Sequence, residues 1–210
     1  MFAGTQRLLQ HARVVRRGPA SAEDIERVQN RFQAPLPEAL VELWRTSDGL
    51  SFGADPKQDG QLYGTGSVGR ILERNRQLAP GLLPFVHDGQ SNFLGLHVHP
   101  PLAPRISYLP HDDGPSLFYR DFDSCLGDIA RLFDTEMSLD EYLGSDAADY
   151  ARAAPRDAAD DAVARQLLGG DEDQLVQAVC LLNVGSMDIW PRLLEGGYHP
   201  RRSALLRLKS

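Results

Sequence analysis

What the chain has little of restricts it first. It carries two cysteines in 210 residues, Cys125 and Cys180. Two thiols cannot build a disulfide framework, and their scarcity fits a reducing compartment. Both lie in apolar, helix-like sequence and read as buried, reduced thiols. No run approaches the ~20 consecutive apolar residues of a membrane span, and the N-terminus has no apolar core of the secretory kind. The expected location is the cytoplasm, with no membrane role. Lysine is nearly absent, at two residues against twenty arginines. With abundant alanine, that balance suggests a GC-rich, bacterial genome.

Positive charge is short overall. The formal net charge is −7, and residues 21–142 hold 19 acidic against 10 basic side chains, a net of −9. A sequence-independent nucleic-acid binder needs a basic footprint, so that class is excluded. An acidic body suits a basic protein partner. Solubility alone is the simpler explanation of the same charge. Residues 1–20 run the other way, with Arg7, Arg13, Arg16 and Arg17 and no acid.

What is present is ordinary globular material: 42% apolar and 24% charged residues, enough to bury a core. The chain divides into a basic N-terminal segment (1–20), a folded domain (21–143) and a helical extension (144–210). Ser21 and Asp24 form a helix-start signal, after which Ile25, Val28 and Phe32 share one helical face. Pro35 ends that helix and Pro37 suits the first turn of the next. Leu40, Val41, Leu43 and Trp44 make the second helix's buried stripe, and Gly49 is its stop. Leu40, Trp44, Gly49 and, further on, Phe122 are the expected structural residues. Ser67 is expected to cap a helix carrying Val68, Ile71, Leu72 and Leu78.

The β-type sequence is short and alternating. Strands are expected at 50–52, 62–63, 83–87, 92–99, 106–109 and 117–119, with a polar loop at 53–60 and a tight turn at 88–91. In the strand expected at 92–99, Leu94, Leu96 and Val98 share one face, and Phe93, Gly95, His97 and His99 share the other. Phe122 opens a helix with Cys125, Leu126, Ile129, Leu132 and Phe133 inward. Beyond residue 144, apolar clusters at 163–168, 175–182 and 189–194 are separated by glycine breaks and read as packed short helices.

The order of these segments resembles the SUKH superfamily, the Smi/Knr-like group of yeast cell-wall regulators and bacterial toxin-immunity proteins. The residues that carry it are Ile25 and Phe32, Leu36-Pro37, Leu40, Leu43-Trp44 and Asp48-Gly49-Leu50. Then come Leu83-Pro84-Phe85, Asp88-Gly89 and Asn92-Phe93-Leu94-Gly95-Leu96. Ile106-Ser107-Tyr108, His111-Asp112-Asp113 and Phe122 with Leu126 complete the set. The resemblance implies an α+β domain, with a small, twisted, mostly antiparallel sheet flanked by helices. It also implies a non-enzymatic binding module, an immunity protein that captures a protein toxin such as a basic nuclease. Its expected partner-binding residues are exposed acids near strand ends: Asp55, Asp59, Asp88, Asp112 and Asp113. A regulatory scaffold like the yeast members is the alternative within the resemblance.

Enzymatic readings have thinner support. His97 and His99 are about 7 Å apart along one strand face. With His87, His111, Asp112 or Asp113 they could ligate a metal and serve a hydrolase. A half-exposed strand end accounts for them more simply, and no His-x-x-x-His or Cys-x-x-Cys frame backs the metal. His111-Asp112-Asp113-Gly114 reads as a turn before a cation site. Gly64-Thr65-Gly66-Ser67-Val68-Gly69 lacks the Gly-Lys-Ser/Thr of a phosphate loop and reads as a loop and helix cap. No catalytic residue, metal or cofactor is expected.

Overall fold

The computed structural model describes residues 2–53, 60–74, 82–89, 92–100, 102–109, 116–135, 137, 141 and 142. Asp55, Asp59, His111, Asp112, Asp113, Cys180 and the expected extension at 144–210 lie outside the described residues. In chain order the elements are α1 (Ala3–Gln10), β1 (Val15–Arg16), α2 (Ala22–Phe32), α3 (Glu38–Thr46), β2 (Leu50–Ser51) and β3 (Gln61–Leu62). They continue with α4 (Thr65–Arg74), β4 (Leu82–His87), β5 (Phe93–His97), β6 (Ile106–Leu109), β7 (Ser116–Tyr119) and α5 (Phe122–Leu132). The seven strands form one sheet in sequential order, and each neighbouring pair is antiparallel. This is an α+β fold built on an antiparallel meander.

Local chemistry explains the helices. The Ser21 hydroxyl accepts the Asp24 N–H at 3.1 Å and donates to the Asp24 carboxylate at 2.6 Å, closing the first turn of α2. Ile25, Val28 and Phe32 are its buried stripe. Gln33 ends it in the left-handed region, at φ 50°. Pro37 stands at the cap of α3, just before its first turn, and its carbonyl receives the N–H groups of Leu40 and Val41. Leu40, Leu43 and Trp44 have no exposed surface. The Trp44 indole N–H donates to the Tyr63 carbonyl at 2.9 Å, so the ring is buried without an orphaned donor.

Gly49 follows α3 at φ 98°, and a Cβ there would meet the Gly64 nitrogen at 2.8 Å. Both the backbone angle and the close approach require glycine. The approach brings Asp48 to the start of α4, where its Oδ1 accepts the Thr65 N–H at 2.6 Å and the Thr65 hydroxyl at 2.9 Å. Helix α4 therefore starts at Thr65, two residues before the expected Ser67 cap. A carboxylate 17 residues upstream takes over the capping role.

Two elements precede the segment in which the sequence signals begin. Helix α1 buries Leu8 and Leu9 and packs on α5. Its first N–H groups, those of Gly4 and Thr5, donate to the Asp123 carboxylate at 3.1 and 2.8 Å. Strand β1 then pairs with β2, and the Asp48 N–H donates to the Gly18 carbonyl at 2.7 Å.

Helices α1 to α5 contribute to one core on one face of the sheet, with Leu83, Phe85, Val86, Leu94, Leu96 and Ile106 beneath them. A register shift between Pro84 and Val86 marks a bulge in β4, where proline's missing N–H is tolerated and Phe85 and Val86 are both fully buried. Asp121 caps α5 by accepting the Ser124 N–H at 2.8 Å. Phe122, Cys125, Leu126 and Ile129 turn inward.

Candidate interaction edge of the sheet

The strand register brings three hairpins to one edge. Ser51 pairs with Gln61, Gln61 with His87, His87 with Phe93 and Phe93 with Leu109. The connections β2–β3, β4–β5 and β6–β7 therefore all leave the sheet on the same side. Asp55 and Asp59 belong to the first connection, Asp88 to the second, and Asp112 and Asp113 to the third. The sequence carries the acids; only the register shows that their connections share an edge.

Asp88 corrects the expectation of an exposed acid. It retains 3% of its surface. Its Oδ1 accepts the Asn92 N–H at 3.0 Å and its Oδ2 accepts the Asn92 side-chain amide at 2.6 Å. The Asp88 N–H in turn donates to the Asn92 carbonyl. The carboxylate closes the β4–β5 turn from inside, helped by Gly89 at φ 90°. Asp88 shapes this edge from inside, with its carboxylate buried against Asn92.

An aromatic trio adjoins the turn. His87 and Phe93 have ring centroids 5.0 Å apart, and Tyr63 stands 6.4 Å from His87 and 6.5 Å from Phe93. All three are half-buried. Burial, then the negative charge of Asp88, pushes the Tyr63 phenol up to about 12. Burial lowers the His87 pKa, with Asp88 opposing the shift, so the imidazole is held toward its neutral form. Its Nδ1 accepts the Gly89 N–H at 3.2 Å. Neutral, partly exposed rings beside acidic connections make an amphipathic rim of the kind that anchors protein contacts.

The histidine pair does not form as expected. Strand β5 ends at His97, so His99 is not its strand-mate. His97 is 5% exposed, and its Nε2 shares a 2.8 Å hydrogen bond with the Ser107 hydroxyl on β6. Burial, with the charge of Arg105 adding to it, lowers its pKa to about 3. The half-exposed strand end is thus corrected to a buried, neutral imidazole. Among the described residues, no group of three or more His, Cys, Asp or Glu side chains is placed to hold a metal. Burial raises the Cys125 thiol well above its usual range, the opposite of an activated nucleophile.

The glycine-rich stretch opens α4 along a groove of about 520 Å³ between α2 and α4. Arg27, Arg31 and Arg70 line it together with Asp24. Arg27 is held by Asp24 at 2.7 Å and by Glu23 at 3.2 Å. Because Asp48 occupies the Thr65 N–H, a negative charge already sits where a phosphate would seek the helix terminus.

One polar cluster gave no sequence signal. Asp128 has no exposed surface and accepts hydrogen bonds from Tyr119 at 2.5 Å, from Tyr142 at 2.9 Å and from Arg131. Desolvation raises both phenols, Tyr142 to about 12, so both remain protonated donors.

The profile of the SMI1 / KNR4 family (SUKH-1) matches residues 19–128, just over half of the chain. The protein belongs to the SMI1 / KNR4 family. No curated protein matches the chain. The matched span starts before α2 and ends within α5. It includes the three hairpins and excludes α1. A SUKH-type protein is in general non-enzymatic and works through protein partners. No helix among the described residues is long and apolar enough to cross a membrane.

Proposed function

We propose that this SUKH-type protein is a cytoplasmic immunity protein that neutralises a cognate toxin by binding it. Capture would be steric and electrostatic, with no covalent step and no cofactor. The observation behind this reading is the shared edge of the three hairpins. The strand ends that lead into the connections carrying Asp55, Asp59, Asp112 and Asp113 lie on one side of the sheet, the side of the half-buried His87 and Phe93. The net charge of −9 over residues 21–142 supports a basic partner, such as a nuclease. Aromatic anchors flanked by like charges favour both burial at contact and fast, steered encounter.

The test is co-expression and co-purification with the product of the adjacent gene. A product that kills cells in the absence of this chain, and binds it in a stable complex, supports the reading. An adjacent product that is harmless and does not bind sinks it. The edge is tested separately with Asp112→Lys combined with Asp113→Lys. The expected result is at least a tenfold loss of affinity, mostly in the association rate, with an unchanged melting temperature. Unchanged affinity would move the binding surface elsewhere.

A further inference from the structure

The groove between α2 and α4 runs against the charge of the domain. Residues 21–142 hold 10 basic side chains, and Arg27, Arg31 and Arg70 all line this groove, with Asp24 as its one carboxylate. All three arginines are exposed. Arg27 lies in exposed pairs with Asp24 and Glu23, and Arg70 reaches the Ser67 hydroxyl at 3.3 Å. Exposed pairs of this kind contribute little, so a ligand carboxylate can replace either partner. The groove holds about 520 Å³, which suits a few residues of peptide.

The wall on α4 is largely bare backbone. Gly66 and Gly69 line the groove, and a Cβ built on either meets nothing within 4 Å. Glycine weakens a helix interior, and packing does not call for it at either position. A chain lying across α4 would need that clearance. On the α2 wall, Arg27 and Arg31 are one helical turn apart on a shared face, about 6 Å from Cβ to Cβ. Alternate side chains of an extended peptide are spaced at about 7 Å, so carboxylates two residues apart match the two guanidinium groups. Other anions fit less well. The Asp48 carboxylate holds the Thr65 N–H and hydroxyl, so a dianionic phosphate meets negative charge at the start of α4. No residue lining the groove is aromatic, so a nucleic-acid base has nothing to stack on.

We propose that this groove binds an extended acidic segment of a partner protein. Aspartates or glutamates two residues apart engage Arg27 and Arg31, and a third engages Arg70 from the α4 wall. The net charge of −9 over residues 21–142 does not forbid this. At physiological ionic strength the Debye length is about 8 Å, so distant acids are screened while the guanidinium groups touch the ligand. The groove shares no described residue with the hairpin edge, and this inference does not rest on the immunity reading.

Fluorescence anisotropy with a labelled peptide of alternating glutamate and serine tests this on the full-length protein at physiological ionic strength. Saturable binding is expected, and the same peptide with glutamine in place of glutamate should bind at least about tenfold more weakly. Arg31→Gln combined with Arg70→Gln should lower the affinity for the glutamate peptide by at least about tenfold and leave the melting temperature unchanged. Where that double variant is itself less stable, Gly69→Met decides. Its side chain fills the groove while raising helix propensity, so binding should fall as far with no loss of stability. Equal binding of the two peptides, no binding of either, or binding that survives both variants would overturn the proposal. A polyuridine strand that binds more tightly than the glutamate peptide through the same arginines would also overturn it, and would make the groove a nucleic-acid site.

Discussion

The Tyr142 phenol donates to Oδ1 of Asp128 at 2.9 Å, and the Tyr119 phenol donates to Oδ2 at 2.5 Å. One buried carboxylate on α5 thus ties down the end of β7 and the short segment 141–142. Arg131 completes the set from one turn further along the helix. Asp128→Ala would take a buried acceptor away from both phenols, at a cost of about 2–5 kcal/mol in total. Tyr142→Phe removes one donor and should cost only about 1 kcal/mol. Urea unfolding of both variants checks the order. Equal effects would mean that Asp128 acts through something other than these phenols.

Trp44 holds α3 against the sheet through packing and through its bond to the Tyr63 carbonyl. Trp44→Ala should destabilise the protein by about 3–5 kcal/mol. Any loss of partner binding should then follow the loss of folded protein. A melting temperature equal to wild type, with binding abolished, would instead make Trp44 an interface residue. Trp44→Phe keeps most of the packing and isolates the hydrogen bond. Calorimetry should place it between wild type and Trp44→Ala.

Much of this fold was legible. Helices α2, α3 and α5 announce themselves through apolar faces, and Ser21 with Asp24 adds a local start signal. Strands β4 to β6 show as alternation between turn residues. What stayed hidden depends on contacts far apart in sequence. Asp48 caps α4 from 17 residues away, so Ser67 looked like the better cap. Asp123 caps α1 from 118 and 119 residues away. A short helix with Leu8 and Leu9 as its buried leucines offers little periodicity of its own. Alternation shows that Gly95 and His97 share a face, but it says nothing about what covers that face. Asp88 is hidden for a local reason instead: the turn to Asn92, four residues on, folds over the Asp88 carboxylate.

The glycines divide into those the packing needs and those it does not. A Cβ at Gly4 would lie 2.0 Å from the Asp123 carbonyl oxygen and 2.8 Å from the Gly127 nitrogen. Backbone on both sides leaves no room to adjust. Gly4→Val should undock α1, costing about 1–3 kcal/mol and speeding amide exchange in 3–10. Gly66 and Gly69 are the counter-case. Both lie in α4, and a Cβ at either meets nothing within 4 Å. Gly66→Ala and Gly69→Ala should each stabilise the protein by about 0.4–1 kcal/mol, because alanine has less backbone freedom to lose on folding. Destabilisation by either alanine would show that this flank of α4 is covered.

His97 makes acid stability a probe of the buried sheet face. Its pKa is about 3 in the folded chain, against 6.5 ordinarily. The unfolded chain therefore binds a proton that the folded chain refuses. Above pH 6.5 both states are neutral at this site, and it has no effect. As pH falls from 6.5 toward 3, protonation increasingly favours the unfolded chain, and stability is lost at up to about 1.4 kcal/mol per pH unit. Below 3 both states are charged and the slope vanishes. Stability measured in urea between pH 7 and pH 4.5 should fall along this slope. His97→Gln, which keeps a polar partner for Ser107 but cannot titrate, should flatten it. An equally steep decline in His97→Gln would assign the acid sensitivity to the carboxylates and leave the imidazole in contact with water.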